Sequence, residues 1–383
     1  MASLSSFIVA ALAAVAFGLS PPQKATKRQI VSASQLRPHY DFIIIGGGTS
    51  GLTVADRLTE AFPSQTVLIV EYGTVEYAPG GFDPPQIGFT NSSTVPRPAI
   101  WTFNSVANLE VQNKQALVLA GRTVGGSSAV NGMFFDRPSR HDFDAWARAG
   151  SPEFDKSPHK WDNDGLFPYF RKAVTFTPPP ATVAAKHGYT WDLSAYGGTT
   201  PIHSSYPPFL WGDHQVARNA WLDMRVPVNK ECASGDKTGL CWIPISQHPL
   251  TARRSHAGLG HYADVTGNST KPRLNYDLLT NHQVVRVVYP NGLASGPPLV
   301  EIKPVGSSGG RFNATAKAEV IVSAGAFNTP TVLHRSGIGP ASVLKEYGIP
   351  LVLDLPGVGN NLQDHSGPSI SWNCEYSTLP TLT

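Results

Sequence analysis

Tyr40-Asp41-Phe42-Ile43-Ile44-Ile45-Gly46-Gly47-Gly48-Thr49-Ser50-Gly51 is the stretch on which the fold turns. Its first half is an unbroken apolar run, the pattern of a strand buried on both faces of a parallel sheet. Its second half carries glycines at the Gly46-x-Gly48-x-x-Gly51 spacing. Leu52–Phe62 follows with Leu52, Ala55, Leu58 and Phe62 on one helical stripe, and Pro63 ends it. Thr66–Val70 is a second apolar run, closed by Glu71. These pieces make a βαβ unit with a right-handed crossover. In that setting Gly46 permits the tight turn, Gly48 lets the backbone approach a pyrophosphate and Gly51 allows close helix–strand packing. The first helical amides, aided by the helix dipole, hold the anion. Glu71 stands 20 residues beyond Gly51 at the end of the second strand. A carboxylate there accepts hydrogen bonds from ribose hydroxyls and repels a 2′-phosphate. The unit reads as dinucleotide-binding, and this motif alone does not separate a flavin from a nicotinamide dinucleotide.

The 383 residues allow two or three domains, and 41% hydrophobic against 15% charged residues supports a large core. A net charge of +3, from 30 basic and 27 acidic residues, is too balanced for a nucleic-acid binder. Phe7–Phe17 is an apolar run too short to span a membrane, which takes about 20 residues, but suited to a signal-peptide core. Secretion is therefore expected, without a stable membrane span, and the sequons at Asn91, Asn268 and Asn313 agree with it. Cys232 and Cys241 flank a glycine-containing stretch that a hairpin-closing disulfide would suit; two free thiols are the alternative reading. Cys374 is left over, and no cysteine is followed by a histidine at metal-ligand spacing, so no metal site is expected. Gly73–Arg97 reads as a long surface loop. The Trp-rich, Pro-punctuated stretch from Trp146 to Trp242 looks unlike the βαβ unit and reads as an inserted domain. Strand-like runs return at Val284–Val288, Leu299–Ile302, Glu319–Val322 and Leu351–Leu353.

Two further segments decide which dinucleotide is bound. Gly121-Arg122-Thr123-Val124-Gly125-Gly126-Ser127-Ser128-Ala129-Val130-Asn131 exposes main-chain amides that can line a pyrophosphate or a flavin edge. Gly325-Ala326-Phe327-Asn328-Thr329-Pro330 runs on through Arg335-Ser336-Gly337-Ile338-Gly339, and Asn361-Leu362-Gln363-Asp364-His365 follows Gly357-Val358-Gly359. Taken with the first glycine motif, these segments resemble the glucose–methanol–choline (GMC) oxidoreductase family, and most closely its fungal aryl-alcohol and secondary-metabolite members. A nicotinamide-dependent dehydrogenase would leave the second and third segments unexplained.

The resemblance implies an α/β fold: a Rossmann-like FAD-binding domain built from separated segments, with an inserted α+β substrate domain that is incomplete here. The expected division is a signal peptide at 1–20, FAD-binding segments at 38–150 and 241–358, and substrate-domain segments at 151–240 and 359–383. FAD is the implied cofactor. Gly46, Gly48 and Gly51 would approach its pyrophosphate, with the Thr49 and Ser50 amides beside it. Glu71 would bind the adenosine ribose, with Tyr72 adjacent. Arg122, Val124 and Gly126 would lie along the cofactor, and Asn131, Gly132, Met133 and Phe134 would line the flavin ring. Val284 would meet the adenine region through its backbone, and Trp101 falls where relatives fold a lid over the cofactor.

The implied reaction is oxidation of the CH–OH group of a small alcohol, aromatic or from secondary metabolism, by hydride transfer to flavin. Relatives run well beyond this endpoint and supply there a histidine base, paired with a second histidine or an asparagine. No catalytic residue is therefore expected within the chain. His256, His261, His334 and His365 are expected to be surface or structural, Trp161, Phe167, Tyr169 and Phe170 to be core, and Arg253-Arg254 to be a solvated or domain-bridging pair. A truncated, catalytically silent relative and a non-redox cyclase or dehydratase that keeps FAD as structure are the competing readings.

Overall fold

The computed structural model describes residues 30–75, 99–210, 212–266, 272–293 and 296–364. The signal-peptide expectation, Asn91, Asn268, His365, Cys374 and nearly all of the expected loop at 73–97 lie outside these residues. Along the chain come β1 (Tyr40–Ile45), α1 (Thr49–Ala61), β2 (Val67–Val70), β3 (Ile100–Asn104), β4 (Leu117–Gly121), α2 (Arg140–Ala149) and α3 (Asn163–Lys172). β5 (Thr175–Phe176), α4 (Ala181–His187), β6 (His203–Ser204) and α5 (Gly212–Asp223) follow. A π-helical turn at Leu259–Ala263 then runs into α6 (Asp264–Thr266). The remainder is β7 (Tyr276–Leu279), β8 (His282–Val288), β9 (Leu299–Pro304), β10 (Phe312–Val322), α7 (Gly325–Arg335), β11 (Ile338–Gly339), α8 (Ala341–Glu346) and β12 (Leu353–Asp354).

The principal sheet has the order β7-β2-β1-β10-β9-β8. β7, β2, β1 and β10 are mutually parallel, and β9 and β8 continue the sheet antiparallel. β1 sits inside, with Ile43 opposite Leu68 on one side and Val320 on the other. That position explains its unbroken apolar run: both faces need cover. Ile43, Ile45, Leu68 and Val70 pack with Val284, Val300 and Val332 on one face. Phe42, Ile44, Val67 and Ile69 pack with Leu52 and Ala55 of α1 on the other. Each such fully buried side chain contributes about 1.5–3 kcal/mol of burial free energy. β10 extends well upstream of the run at Glu319–Val322, because its first residues alternate and pair antiparallel with β9. Phe62, expected on the buried stripe of α1, is instead 46% exposed past the helix end and stacks on Phe42.

α1 carries a buried carboxylate. Asp56 accepts a hydrogen bond from His261 Nδ1 at 2.7 Å and pairs with the Arg273 guanidinium. This places a charge on the same face as Leu52 and Ala55, where only paired charges are tolerated. The network ties α1 to the π-helical turn and to the approach to β7, with Tyr276 Oη donating to the His261 carbonyl at 3.2 Å.

The segment between β4 and the π-turn has a smaller core of Val174, Ala195, Tyr196, Ile202 and Ala233. Arg137 is buried beside it and donates to the carbonyls of Ala195, Ala233 and Phe170, its guanidinium 5.4 Å from the Tyr196 ring centroid. The aromatic group expected in the core lies elsewhere. Trp161 and Tyr169 are 44% and 60% exposed, and Phe167 and Phe170 are half-buried. α3 turns Tyr169 outward and keeps Phe170 against Phe143, at 4.8 Å between ring centroids. Cys232 and Cys241 form a disulfide. It closes a loop instead of a β-hairpin, since Val228 and Leu240 bridge in parallel.

Asp56→Ala should destabilise the protein by about 3–5 kcal/mol, the cost of leaving a buried partner charge uncompensated. Urea unfolding of the two forms at pH 7 measures it; a loss under about 1 kcal/mol would show the pair to be no stronger than a surface one.

Candidate cofactor-binding site

A cavity of about 750 Å³ opens at the carboxyl ends of β1, β2 and β10. This volume lies in the usual range for cofactor pockets. The sheet reverses its winding between β1 and β10, and ligands of open α/β sheets bind at such a switch point. Ile45, Val70 and Val322 end their strands at the cavity floor.

The turn from β1 into α1 forms one wall. Gly46 has φ +107°, and a Cβ there would sit 2.4 Å from the Ser323 carbonyl oxygen. Only glycine meets both conditions. A Cβ on Gly51 would lie 2.0 Å from the Gly46 carbonyl oxygen, so Gly51 shapes the turn from behind and does not line the cavity. Gly48 caps α1, and Gly48, Thr49 and Ser50 line the cavity with first-turn amides that have no partner within the helix. The first turn carries no acidic side chain to oppose an anion.

Glu71 is buried at the end of β2. It accepts the Gly47 amide on Oε2 and the Gly73 amide on Oε1, both at 2.7 Å. Burial pushes its carboxyl up from the usual range, and the two amides oppose that shift. Tyr72 follows, its ring 4.5 Å from that of Trp101 and tilted against it by 53°. Phe103 and Phe327 extend the aromatic side, 4.5 Å apart, with β3 and α7 meeting there. Arg122 does not enter the lining; its guanidinium lies 5.2 Å from the Trp101 ring and 5.9 Å from the Tyr72 ring. Val284 lines the far end beside His282 and Gln283.

The opposite wall is the Gly125–Ala129 turn. Gly126 has φ +54°, and a Cβ there would be 2.7 Å from Gly48 Cα. The Gly125 amide donates to the Gly47 carbonyl at 2.8 Å. Gly126 and Ser127 line the cavity. Val124 does not: it is fully buried in the core beneath α1. Asn131, Gly132, Met133 and Phe134 continue past the rim, outside the cavity lining. Asn131 is exposed and Phe134 is 58% exposed, whereas Met133 is buried.

Sequence reasoning missed the support behind this wall. Arg254, expected to be solvated or domain-bridging, is 2% exposed. Its Nη1 donates to the Ser128 carbonyl and the Asn131 side chain. Ser128 Oγ donates to the Gly125 carbonyl at 2.6 Å and accepts the Ala257 amide at 3.2 Å. His256 packs against Gly125, where a Cβ would come 2.8 Å from its Nδ1. The run Arg254-Ser255-His256-Ala257 is ordinary in composition, and only the fold shows what it underlies. His261 is interior too, and His334 is wedged against Gly339 and Gly359. His282 lines the cavity, its Nδ1 2.7 Å from the Thr280 carbonyl oxygen. No group of three or more His, Cys, Asp or Glu suited to a metal occurs among the described residues.

Burial, with the Arg254 charge adding to it, lowers the His256 pKa from 6.5 to about 3. The folded state thus refuses a proton that the unfolded chain accepts below pH 6.5. Stability should be unaffected by His256 above that pH and fall as pH drops from 6.5 toward 3, by up to about 1.4 kcal/mol per unit. His256→Gln should flatten the acid limb of a stability-versus-pH curve by close to one proton. Parallel curves for the two proteins would exclude this burial effect.

The sequence pattern of the GMC oxidoreductase family matches residues 40–367. The dehydrogenase xptC of Emericella nidulans is 34% identical over 365 residues, covering 94% of this chain and 53% of its own. The glucose methanol choline oxidoreductase atC of Aspergillus terreus is 31% identical, covering 85% of this chain and 52% of its own. Among solved structures, a fungal aryl-alcohol oxidase is 62% identical with a TM-score of 0.80, covering 86% of this chain and 52% of its own. An FAD-dependent oxidoreductase from Chaetomium thermophilum is 36% identical with a TM-score of 0.75, covering 85% and 52% respectively. The chain spans about half the length of the relatives it matches.

Proposed function

The chain belongs to the GMC oxidoreductase family, and we propose that its glycine-walled cavity holds FAD for oxidation of the CH–OH group of an aromatic or secondary-metabolite alcohol. The observation that carries this reading is the meeting of the Gly46–Gly51 turn, Glu71 and Gly126 around one cavity at the switch point of the sheet. The first-turn amides of α1 would bind the pyrophosphate, and Glu71 would accept from the ribose with its remaining lone pairs. The far end, at His282, Gln283 and Val284, would take the adenine. Asn131, Gly132, Met133 and Phe134 would lie along the flavin ring, outward from Gly126 and Ser127. Trp101, held between the tilted Tyr72 ring and the stacked Phe103 ring, would shield the cofactor from water. Bound FAD supplies a hydride acceptor; the protein's share is to bind, orient and exclude water. The aryl-alcohol oxidase likeness supports an aromatic substrate.

Oxidation of an alcohol also needs a base within hydrogen-bond reach of its oxygen. Interior His256 and His261 and wedged His334 are ill placed for that task. The family resemblance assigns it to the part of its relatives that this chain does not span. A secretory location fits the Cys232–Cys241 disulfide and the exposed Asn313 sequon on β10. Among the described residues no helix is long and apolar enough to cross a membrane.

The purified protein should take up FAD and show the flavin absorption bands, and a form extended by the base-supplying segment of a relative should be bleached by an aryl alcohol added without air. A folded protein that remains colourless with excess FAD would refute the cofactor assignment. Retained FAD that no alcohol bleaches in the extended form would refute the redox assignment and favour FAD as a structural group.

A further inference from the structure

The loop beyond Gly126 holds a backbone conformation that needs support. Met133 has φ +66°, left-handed for a residue with a Cβ. Such positions cost energy and persist only where the surroundings enforce them, typically at functional sites. Here the Met133 amide donates to Asn131 Oδ1 at 3.0 Å, its carbonyl accepts the Ser246 amide at 2.7 Å, and its side chain is 1% exposed. Arg254 Nη1 donates to the same Asn131 Oδ1 at 2.9 Å and reaches the Ser128 carbonyl at 3.3 Å.

This arrangement fixes which way the Asn131 carboxamide points. A guanidinium and a backbone amide only donate, so the atom between them must be the oxygen. A flipped carboxamide would set two donors against a third. Nδ2 is thereby committed to the other side of an exposed residue that follows the cavity wall at Ser127. The Asn131 amide in turn donates to the Ser127 carbonyl at 2.9 Å, which ties the loop to that wall.

We propose that Arg254 is a positioning residue for the flavin: it clamps Asn131 Oδ1, stabilises the left-handed Met133, and so presents Asn131 Nδ2 as a hydrogen-bond donor to the acceptor atoms of the flavin ring. The inference rests on the cofactor reading above. It adds a residue whose part is played through Asn131, without contact with the cofactor. Lysine does not substitute fully, because one ammonium lacks the planar fork of a guanidinium.

A double-mutant cycle on the purified protein tests it, read by FAD dissociation constant and by the visible spectrum of bound flavin. Arg254→Met and Asn131→Ala should each weaken FAD binding by about ten- to a hundredfold, as expected for a lost charge-assisted hydrogen bond. Each should move the bound spectrum toward that of free flavin. The double variant should be no weaker than the worse single one, because both remove the same presented donor. Arg254→Lys should retain part of the affinity, and it replaces Arg254→Met in the cycle if the latter does not fold. Wild-type affinity and spectrum in the arginine variant would overturn the proposal. So would losses that multiply in the double variant, which would show Arg254 to be a packing residue acting independently of Asn131. Wild-type protein that takes up no FAD would overturn the cofactor reading itself, and this inference with it.

Discussion

The architecture of the site depends on two glycine backbones being allowed to touch. Gly48 at the head of α1 and Gly126 at the opposite wall approach so closely that a methyl added to Gly126 would strike main chain, and the Gly125 amide closes the gap by bonding to the Gly47 carbonyl. The Thr49 hydroxyl adds a long hydrogen bond across the gap, 3.5 Å to the Gly125 carbonyl. The segments are far apart in sequence, and the approach fixes the width of the cleft between them. Displacing either one would move the amides of Thr49 and Ser50 relative to the far wall, and an extended diphosphate tolerates little of that.

Contacts of this kind need backing, because glycine gives up more freedom on folding than any other residue. The backing is asymmetric. Behind the Gly46–Gly51 turn stand the parallel strands, with β1 locked between β2 and β10 and its isoleucines filling both faces. The Gly125–Asn131 turn instead abuts the end of the two-stranded β3–β4 sheet, where the Gly121 amide donates to Ser127 Oγ at 3.1 Å. Its support is the Arg254–Ala257 run, joined to it through Ser128 and Asn131 and packed on it through His256. That run leads straight into the π-turn that Asp56 anchors to α1. Both walls are therefore referred to the same helix, one directly and the other through a chain of buried polar contacts. Networks of this sort are rigid when every member is satisfied and costly when one is lost.

The first wall was legible in the sequence and the second only in part. Glycine spacing, an apolar run and a terminal acid are local signals, and the placement of Gly46, Gly48 and Glu71 around one cavity could be read from them because it follows from backbone geometry within one βαβ unit. The strands β8, β9 and β10 were legible for the same reason. Arg254 was not, because an arginine reads as solvated until the fold surrounds it with carbonyl and carboxamide oxygens from elsewhere in the chain. Val124 and Met133 are a different case: they lie in a motif, yet their side chains are buried. Trp161 and Tyr169 show the limit of composition, since an aromatic cluster in sequence is not a cluster in space when a helix fans it around its axis.

Glu71 holds the amides of Gly47 and Gly73. The glycine turn and the exit of β2 are consequently stapled to one another by the very group that would greet the ribose. Arrival of the nucleotide then meets a receptor whose shape is already set, and little chain entropy remains to be surrendered on docking. The same economy makes the position unforgiving: a change at Glu71 alters the vessel together with its grip on the contents.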